Sequence, residues 1–249
     1  MSITLTTSTS SPLPQCSPGS GAGTCTRAKR HKRGIADTAT RWPDGVITVA
    51  LDLKDLKSKA LAISAIREWA QHTPGLQFRI ISGTTGDIRI SDNETQKGNW
   101  SYIGTEAKTA PPDEPTLHVD RTDDDEDFRQ TVLHEFGHAL GLKHEHQHPE
   151  HTINWDKEGV YAGYEGSGLD GKTLYENLFE LPTGSEMLVT GYDPKSIMHY
   201  RIDPSATQDG IGVRENHRLS KGDQQIIRKL YTPRRFQGSE TYPAGGHIN

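Results

Sequence analysis

Three rhythms of apolar and polar residues run along this chain. Val46–Leu51 (VITVAL) is a short apolar run behind the turn-forming residues Trp42, Pro43, Asp44 and Gly45, and it predicts a buried strand. Leu56, Ala60, Ile63 and Ala70 recur at helical spacing. With Ile66 and Trp69 they predict an amphipathic helix that stops before Pro74-Gly75. Leu76, Phe78 and Ile80 alternate with polar residues, as a half-buried strand does. Ile88 and Ile90 alternate likewise, with Arg89 and Ser91 on the other face, and Leu117 and Val119 mark a further short strand. A strand, a helix and then several strands make an α+β half, a sheet with a backing helix. After Leu142 the rhythm fades, and Gly163, Gly166, Gly168, Gly171, Pro182, Gly184, Gly191 and Pro194 predict a loop-rich stretch. A last helix is predicted from Lys221 to Leu230. Ser220 caps it, with Asp223 three residues on, a capping box with Asp in place of the usual Glu.

The ends carry no such pattern. Met1–Thr26 is dense in Ser, Thr, Pro and Gly and cannot bury enough apolar surface to offset its ordering entropy. Residues 1–36 are therefore expected to be a disordered tail, 37–233 the folded domain and 234–249 a second flexible tail. Arg27, Lys29, Arg30, Lys32 and Arg33 form a basic run, best taken as a solvated tail. A processing site that frees a terminus near Gly34, and nuclear targeting, are its alternatives. Cys16 and Cys25 both lie in the tail as incidental thiols, unless they pair or chelate. Two cysteines make neither a disulfide framework nor a four-cysteine zinc site. A secretory signal needs a basic start and a continuous apolar stretch. None is visible, so a cytoplasmic or unconventionally secreted protein is expected.

Composition narrows the class. Of 249 residues 32% are hydrophobic and 24% charged, which suits a loop-rich globular chain rather than a disordered one. The net charge of -5 removes the general basic excess expected of a nucleic-acid binder. No apolar run approaches the roughly 20 residues of a membrane helix. The 12 histidines stand out, because they concentrate around 134–151.

That segment is His134-Glu135-Phe136-Gly137-His138-Ala139-Leu140-Gly141-Leu142-Lys143-His144. An α-helix places His134 and His138 one turn apart on one face, where two imidazoles can share a metal ion. Gly141 permits a left-handed residue, so the helix can stop and the chain turn back, bringing His144 in as a third ligand. Val132, Leu133, Phe136, Ala139 and Leu140 cluster opposite His134 and predict a core-facing stripe. Glu135 falls beside the histidines, where it suits a general base acting on metal-bound water. Three neutral nitrogen ligands and an open position are the pattern of a zinc enzyme rather than of a closed structural site. A helix of satisfied surface histidines is the plain alternative.

This long motif resembles the metzincin zinc endopeptidases, and among them the astacin-like group. Glu145 directly follows the third histidine, as in astacins. Ser196-Ile197-Met198-His199-Tyr200 looks like the astacin Met-turn, and Trp42-Pro43-Asp44-Gly45-Val46-Ile47 resembles the opening of the astacin catalytic domain. The resemblance covers about Arg41 to Pro233. His144-Glu145-His146-Gln147-His148-Pro149 and Gly98-Asn99-Trp100-Ser101-Tyr102-Ile103-Gly104 look most like the short, cysteine-poor microbial relatives.

The resemblance implies an α+β zincin fold of two lobes, with a twisted mixed sheet, an active-site helix and a C-terminal helix flanking a cleft. The upper lobe would span about 37–143 and the lower about 144–233. His134, His138 and His144 would bind one zinc ion per chain, Glu135 would be the base, and Met198 would floor the site. Tyr200 would be a switchable ligand that stabilises the tetrahedral intermediate. By spacing alone Met198 and Tyr200 are equally core residues. Ile88, Arg89, Ile90 and Ser91 would form the sheet edge along which a protein or peptide substrate adds as a strand. A terminus freed after Arg33 would reach Glu145. The expected molecule is a monomeric zinc-dependent endopeptidase without nucleic-acid or membrane partners.

Two rivals remain open at this stage, a zinc-containing peptide-binding module and a metzincin of another branch. Asp123, Asp124, Asp125, Glu126 and Asp127 are expected to favour the start of the zinc helix rather than to bind calcium. His146, His148 and His151 are expected at the surface or behind the ligands, and His118, His199 and His217 have no partner nameable from sequence.

Overall fold

The computed structural model describes residues 34–165, 168–182 and 186–233. The expected N-terminal disorder, the basic run, Cys16, Cys25 and the tail 234–249 lie outside the described residues. Gly34, Ile35 and Ala36, expected in the tail, are instead ordered and buried. Strand β1 (Ile35–Asp37) pairs antiparallel with β7 (Met187–Val189), setting Ile35 opposite Val189. A partner about 150 residues away leaves no local trace in three residues, which is why the pattern places the start of the domain too late.

The main sheet contains β2 (Gly45–Asp52), β3 (Leu76–Ser82), β4 (Ile88–Ser91), β5 (Trp100–Ser101) and β6 (Leu117–His118), in the order β3-β2-β4-β6-β5. The first four in that order run parallel, and β5 is antiparallel to β6. Parallel neighbours need a crossover, and α1 (Leu56–Ala70) supplies it between β2 and β3. Asp55 caps α1 by accepting from the Ser58 amide at 2.7 Å. Its buried stripe is Ala62, Ala65, Ile66 and Trp69.

Helix α2 (Asp125–Ala139) packs on α1, where Trp69 Nε1–H donates to the Leu133 carbonyl at 2.9 Å. Phe136 meets Phe78 edge-on at 5.4 Å. Val49, Leu51, Ile66, Val132, Leu133 and Leu140 close the core between sheet and helices. The acidic run begins this helix: Asp124 is its cap, accepting from the amides of Glu126 and Asp127, and Asp125, Glu126 and Asp127 fill the first turn.

Strand β4 corrects the sequence expectation. Ile88–Ser91 is not an edge but lies between β2 and β6, and all four residues are buried. Arg89, expected on an open face, spends its guanidinium on the carbonyls of Glu114, Gly86 and Pro111. A polar residue satisfied this way sits inside the sheet, and alternation cannot tell it from an exposed one. Both main-chain sides of β4 face sheet partners, so Ile88, Arg89, Ile90 and Ser91 cannot receive an added strand. The edge on this side of the sheet is β5.

The second half holds more helix than its glycines suggested. Short helices α3 (Lys157–Gly163) and α4 (Gly171–Leu178) start at Asp156 and Asp170, which accept from the amides of Gly159 and Thr173. Each spans about two turns, too few for a periodic signal. They enclose a small cluster of Val160, Leu174, Leu178 and Phe179, with Trp155 and Tyr200 packed against it. Helix α5 (Lys221–Leu230) runs as expected. Its reciprocal capping box has Asp223 N–H donating to Ser220 Oγ at 2.9 Å and Ser220 N–H donating to Asp223 Oδ2 at 2.8 Å. No helix among the described residues is long and apolar enough to cross a membrane.

Candidate metal centre

The end of α2 builds the site. Gly141 has φ +95°, the left-handed value that favours glycine. Its amide bonds the His138 carbonyl at 2.8 Å, and the Leu142 amide bonds the Gly137 carbonyl at 3.0 Å. This is a Schellman stop, which reverses the chain. The remaining terminal carbonyls are capped by side chains from far away. Trp42 Nε1–H donates to Ala139 O at 2.7 Å, and Tyr231 O–H donates to Leu140 O at 2.9 Å. Strand β1 braces the turn from outside, with Asp37 N–H on Gly141 O at 2.9 Å and Lys143 N–H on Ile35 O at 3.1 Å.

The reversal brings His144 against the helix. His138 Nε2 and His144 Nε2 stand 2.9 Å apart, and one ligand atom from each of His134, His138 and His144 lies within 4.8 Å of the others. The remaining nitrogens of two of these rings are engaged: His134 Nδ1–H donates to Ile197 O and His138 Nδ1–H to Leu142 O, both at 2.8 Å. Those bonds fix the tautomer and leave the Nε2 lone pairs free. His134 Nε2 is buried with no hydrogen-bond partner among the described residues. Burial pushes all three imidazoles toward the neutral form, His138 down to about 3. Neutral, converging, pre-oriented imidazoles are a donor set that zinc fits.

Around the triad the other expected residues take definite places. Glu135 is buried at 1% exposure beside the triad on α2. Met198 is buried beneath the helix, and Glu145 N–H donates to its carbonyl at 3.0 Å. The buried Glu145 carboxylate accepts from the Asp193 amide at 2.6 Å. The Tyr200 ring lies 4.3 Å from that of His144 and 5.9 Å from that of His134. The turn Ser196–Tyr200 is tied to α5, because Asp223 accepts from Ser196 Oγ at 2.6 Å and from Ile197 N–H at 2.9 Å.

Of the histidines expected at the surface or behind the ligands, His146 and His148 are interior. His148 is fully buried, donating from Nε2 to Thr190 O and accepting at Nδ1 from Glu150 N–H. His146 is fully buried with its Nε2 on Asn177 O at 3.0 Å. His118 faces the carbonyls of Gly98 and Asn93, and His199 lies 2.7 Å from the Tyr192 hydroxyl. A cavity of about 250 Å³ opens beside the triad, lined by Ile103 from the strand side, His138, Lys143, His144 and Gln147, and by Glu176, Glu180 and Leu181 from α4 and beyond.

Gly137 is a requirement the motif did not reveal. A Cβ there would stand 2.4 Å from Met198 Sδ and 3.2 Å from the Trp69 ring. Alanine in a helix interior normally gains up to about 1 kcal/mol over glycine. Overpacking here is expected to outweigh that by about 1–3 kcal/mol. Gly137→Ala is therefore expected to melt at lower temperature and to lose activity as Met198 is pushed aside. An unchanged melting temperature would mean that Met198 swings away without cost.

A mixed sheet over a helix bearing two histidines, with a third returned by a glycine turn and a methionine beneath, defines a zinc-peptidase type of domain. The chain belongs to the astacin family of peptidases, whose family model matches residues 34–232. Bone morphogenetic protein 1 of Xenopus laevis is 28% identical over 209 residues, which is 76% of this chain and 27% of that protein. Tolloid-like protein 1 of Homo sapiens is 28% identical over 207 residues, 76% of this chain and 19% of that one. This chain thus spans about a quarter or less of the length of these curated relatives. Among solved structures, myroilysin is similar at a TM-score of 0.74 and 37% identity, over 80% of this chain and 98% of that one. High choriolytic enzyme 1, a hatching enzyme zinc-protease from Oryzias latipes, shares the fold at a TM-score of 0.55 and 19% identity, over 85% of this chain and 98% of that one.

Proposed function

We propose that this chain is a zinc-dependent endopeptidase that holds one zinc ion per chain and, acting as a monomer, hydrolyses protein or peptide substrates. The observation that carries this is the buried triad of neutral imidazoles with Glu135 beside it. Zinc bound by His134, His138 and His144 would supply Lewis acidity, lowering the pKa of water to about 7 and polarising the scissile carbonyl. Glu135 takes the proton from the attacking water and passes it to the leaving amine. Tyr200, whose ring flanks His144, directs its hydroxyl toward the oxyanion that forms. Met198 supports the triad from below without ligating. An extended substrate adds to the antiparallel edge strand β5, since Ile103, two residues beyond it, lines the cavity that also contains His138 and His144.

Chelation tests this reading. Protein stripped of metal is expected to stop cutting a denatured substrate, and one equivalent of zinc to restore it. Its far-UV circular dichroism is expected to stay unchanged, because β1, Trp42 and Tyr231 hold the frame without metal. Cutting that survives complete metal removal would rule the proposal out.

A further inference from the structure

We propose that His146 is a positioning residue for Tyr200, an inference that rests on Tyr200 serving the transition state as above. His146 has no solvent exposure and is not part of the triad. One nitrogen, Nε2, donates to Asn177 O on α4 at 3.0 Å; the other, Nδ1, is buried without a partner among the described residues. Leaving a ring nitrogen unsatisfied is unfavourable, and an apolar side chain would fill such a place without that penalty.

What the ring does provide is a flat face. Its centroid lies 4.3 Å from that of Tyr200, with the planes 18° apart, a stacked pair. Tyr200 is flanked by three imidazoles. Two of them, His134 and His144, belong to the triad; the third is His146, anchored to a different element. Tyr200 itself is only half-buried. Its ring therefore takes its tilt from a platform that α4 holds still, and the position of its hydroxyl relative to the triad follows from that tilt. A displacement of about 1 Å at such a group can cost up to 100-fold in rate.

Two replacements separate the ring from its hydrogen bond. His146→Gln keeps a donor for Asn177 O and removes the ring, whereas His146→Phe keeps the ring and removes the donor. Each is made in the full chain, alone and with Tyr200→Phe, and zinc content is measured before kinetics. His146→Gln is expected to lower kcat about 10-fold with KM within about twofold. His146→Phe is expected to keep most of kcat, and His146→Gln to cost nothing further beside Tyr200→Phe. An equal loss in both backgrounds, or none in either, would overturn the proposal. The second readout needs neither zinc nor turnover: the nuclear Overhauser contacts between the Tyr200 ring and the His134 and His144 rings in metal-free protein, assigned with Tyr200→Phe. They are expected to weaken in His146→Gln and to stay near wild-type strength in His146→Phe. Contacts left in place by His146→Gln would overturn the proposal whatever the kinetics. A kcat unchanged by Tyr200→Phe would instead sink the role given to Tyr200, while those contacts would still decide whether His146 holds it.

Discussion

Glu135→Ala is expected to lower kcat/KM for peptide-bond cleavage by about a thousandfold or more while the protein still holds one zinc per chain. Glu135 belongs to α2 but is not one of the three converging donors, so metal binding loses no ligand. Alanine is the best helix former, so the helix that carries His134 and His138 loses no propensity. The change removes the buried carboxylate that adjoins the triad. Wild type and variant, both shown to carry zinc, are compared on a denatured protein substrate. Equal cutting by the two would dismiss Glu135 as the base. A variant that had lost its zinc would show instead that Glu135 supports the metal.

Asp223→Ala is expected to be the most damaging substitution outside the triad and its base. The carboxylate accepts from Ser196 Oγ, Ile197 N–H and Ser220 N–H, and truncation strands all three donors. Asp223, Ser196 and Ile197 are buried, so water replaces little of what is lost, and the loss is expected to exceed about 3 kcal/mol. It is also expected to reach the metal. Ile197, held at its amide by Asp223, accepts at its carbonyl from His134 Nδ1–H. Removing such outer support typically costs about 10–100-fold in metal affinity. The measurements are the melting temperature of the metal-free protein and a zinc titration. Unchanged values for both would disconnect α5 from the site.

The same residue has a pH signature. Burial pushes the Asp223 carboxyl up to about 6, against hydrogen bonds that pull it down. The folded state then binds a proton more tightly than the unfolded chain, whose value lies near about 3.9. This contribution is fully present below about pH 4 and is lost as pH rises to about 6, on the order of 3 kcal/mol in all. The buried imidazoles titrate with the opposite sign, favouring the fold as pH rises. Subtracting the Asp223→Asn melting profile from that of wild type isolates the carboxylate. A flat difference between about pH 4 and 6 would contradict the shift.

Elements whose cause is local were legible in the sequence. Ile66 and Trp69 mark the buried face of α1, although Leu56, Ala60 and Ala70, expected on that face from the same spacing, are exposed; the Ser220–Asp223 box marks the start of α5, and Gly141 marks the stop that returns His144. Features that depend on partners distant in sequence were not. Whether Ile88–Ser91 is edge or centre depends on the neighbours it acquires, and Arg89 hides its burial behind three carbonyls. The interior places of His146 and His148 depend on the carbonyls of Asn177 and Thr190, some 31 and 42 positions further on. Within the site, the triad is written as one contiguous motif. The need for glycine at 137 appears only once Met198 arrives from 61 residues later.

Trp42 and Tyr231, one before the first strand of the main sheet and the other at the close of α5, both cap the carbonyl end of α2. That helix end cannot fray alone, because releasing it means letting go of both ends of the domain. Amide protons there are expected to exchange slowly with solvent, through openings that also release Trp42 and Tyr231. The proposed metal would therefore arrive at a finished socket. On the proposed reading its uptake would be ligand binding to a folded frame, and removing it would stop catalysis while the fold persists, lowered in stability only by the lost binding free energy.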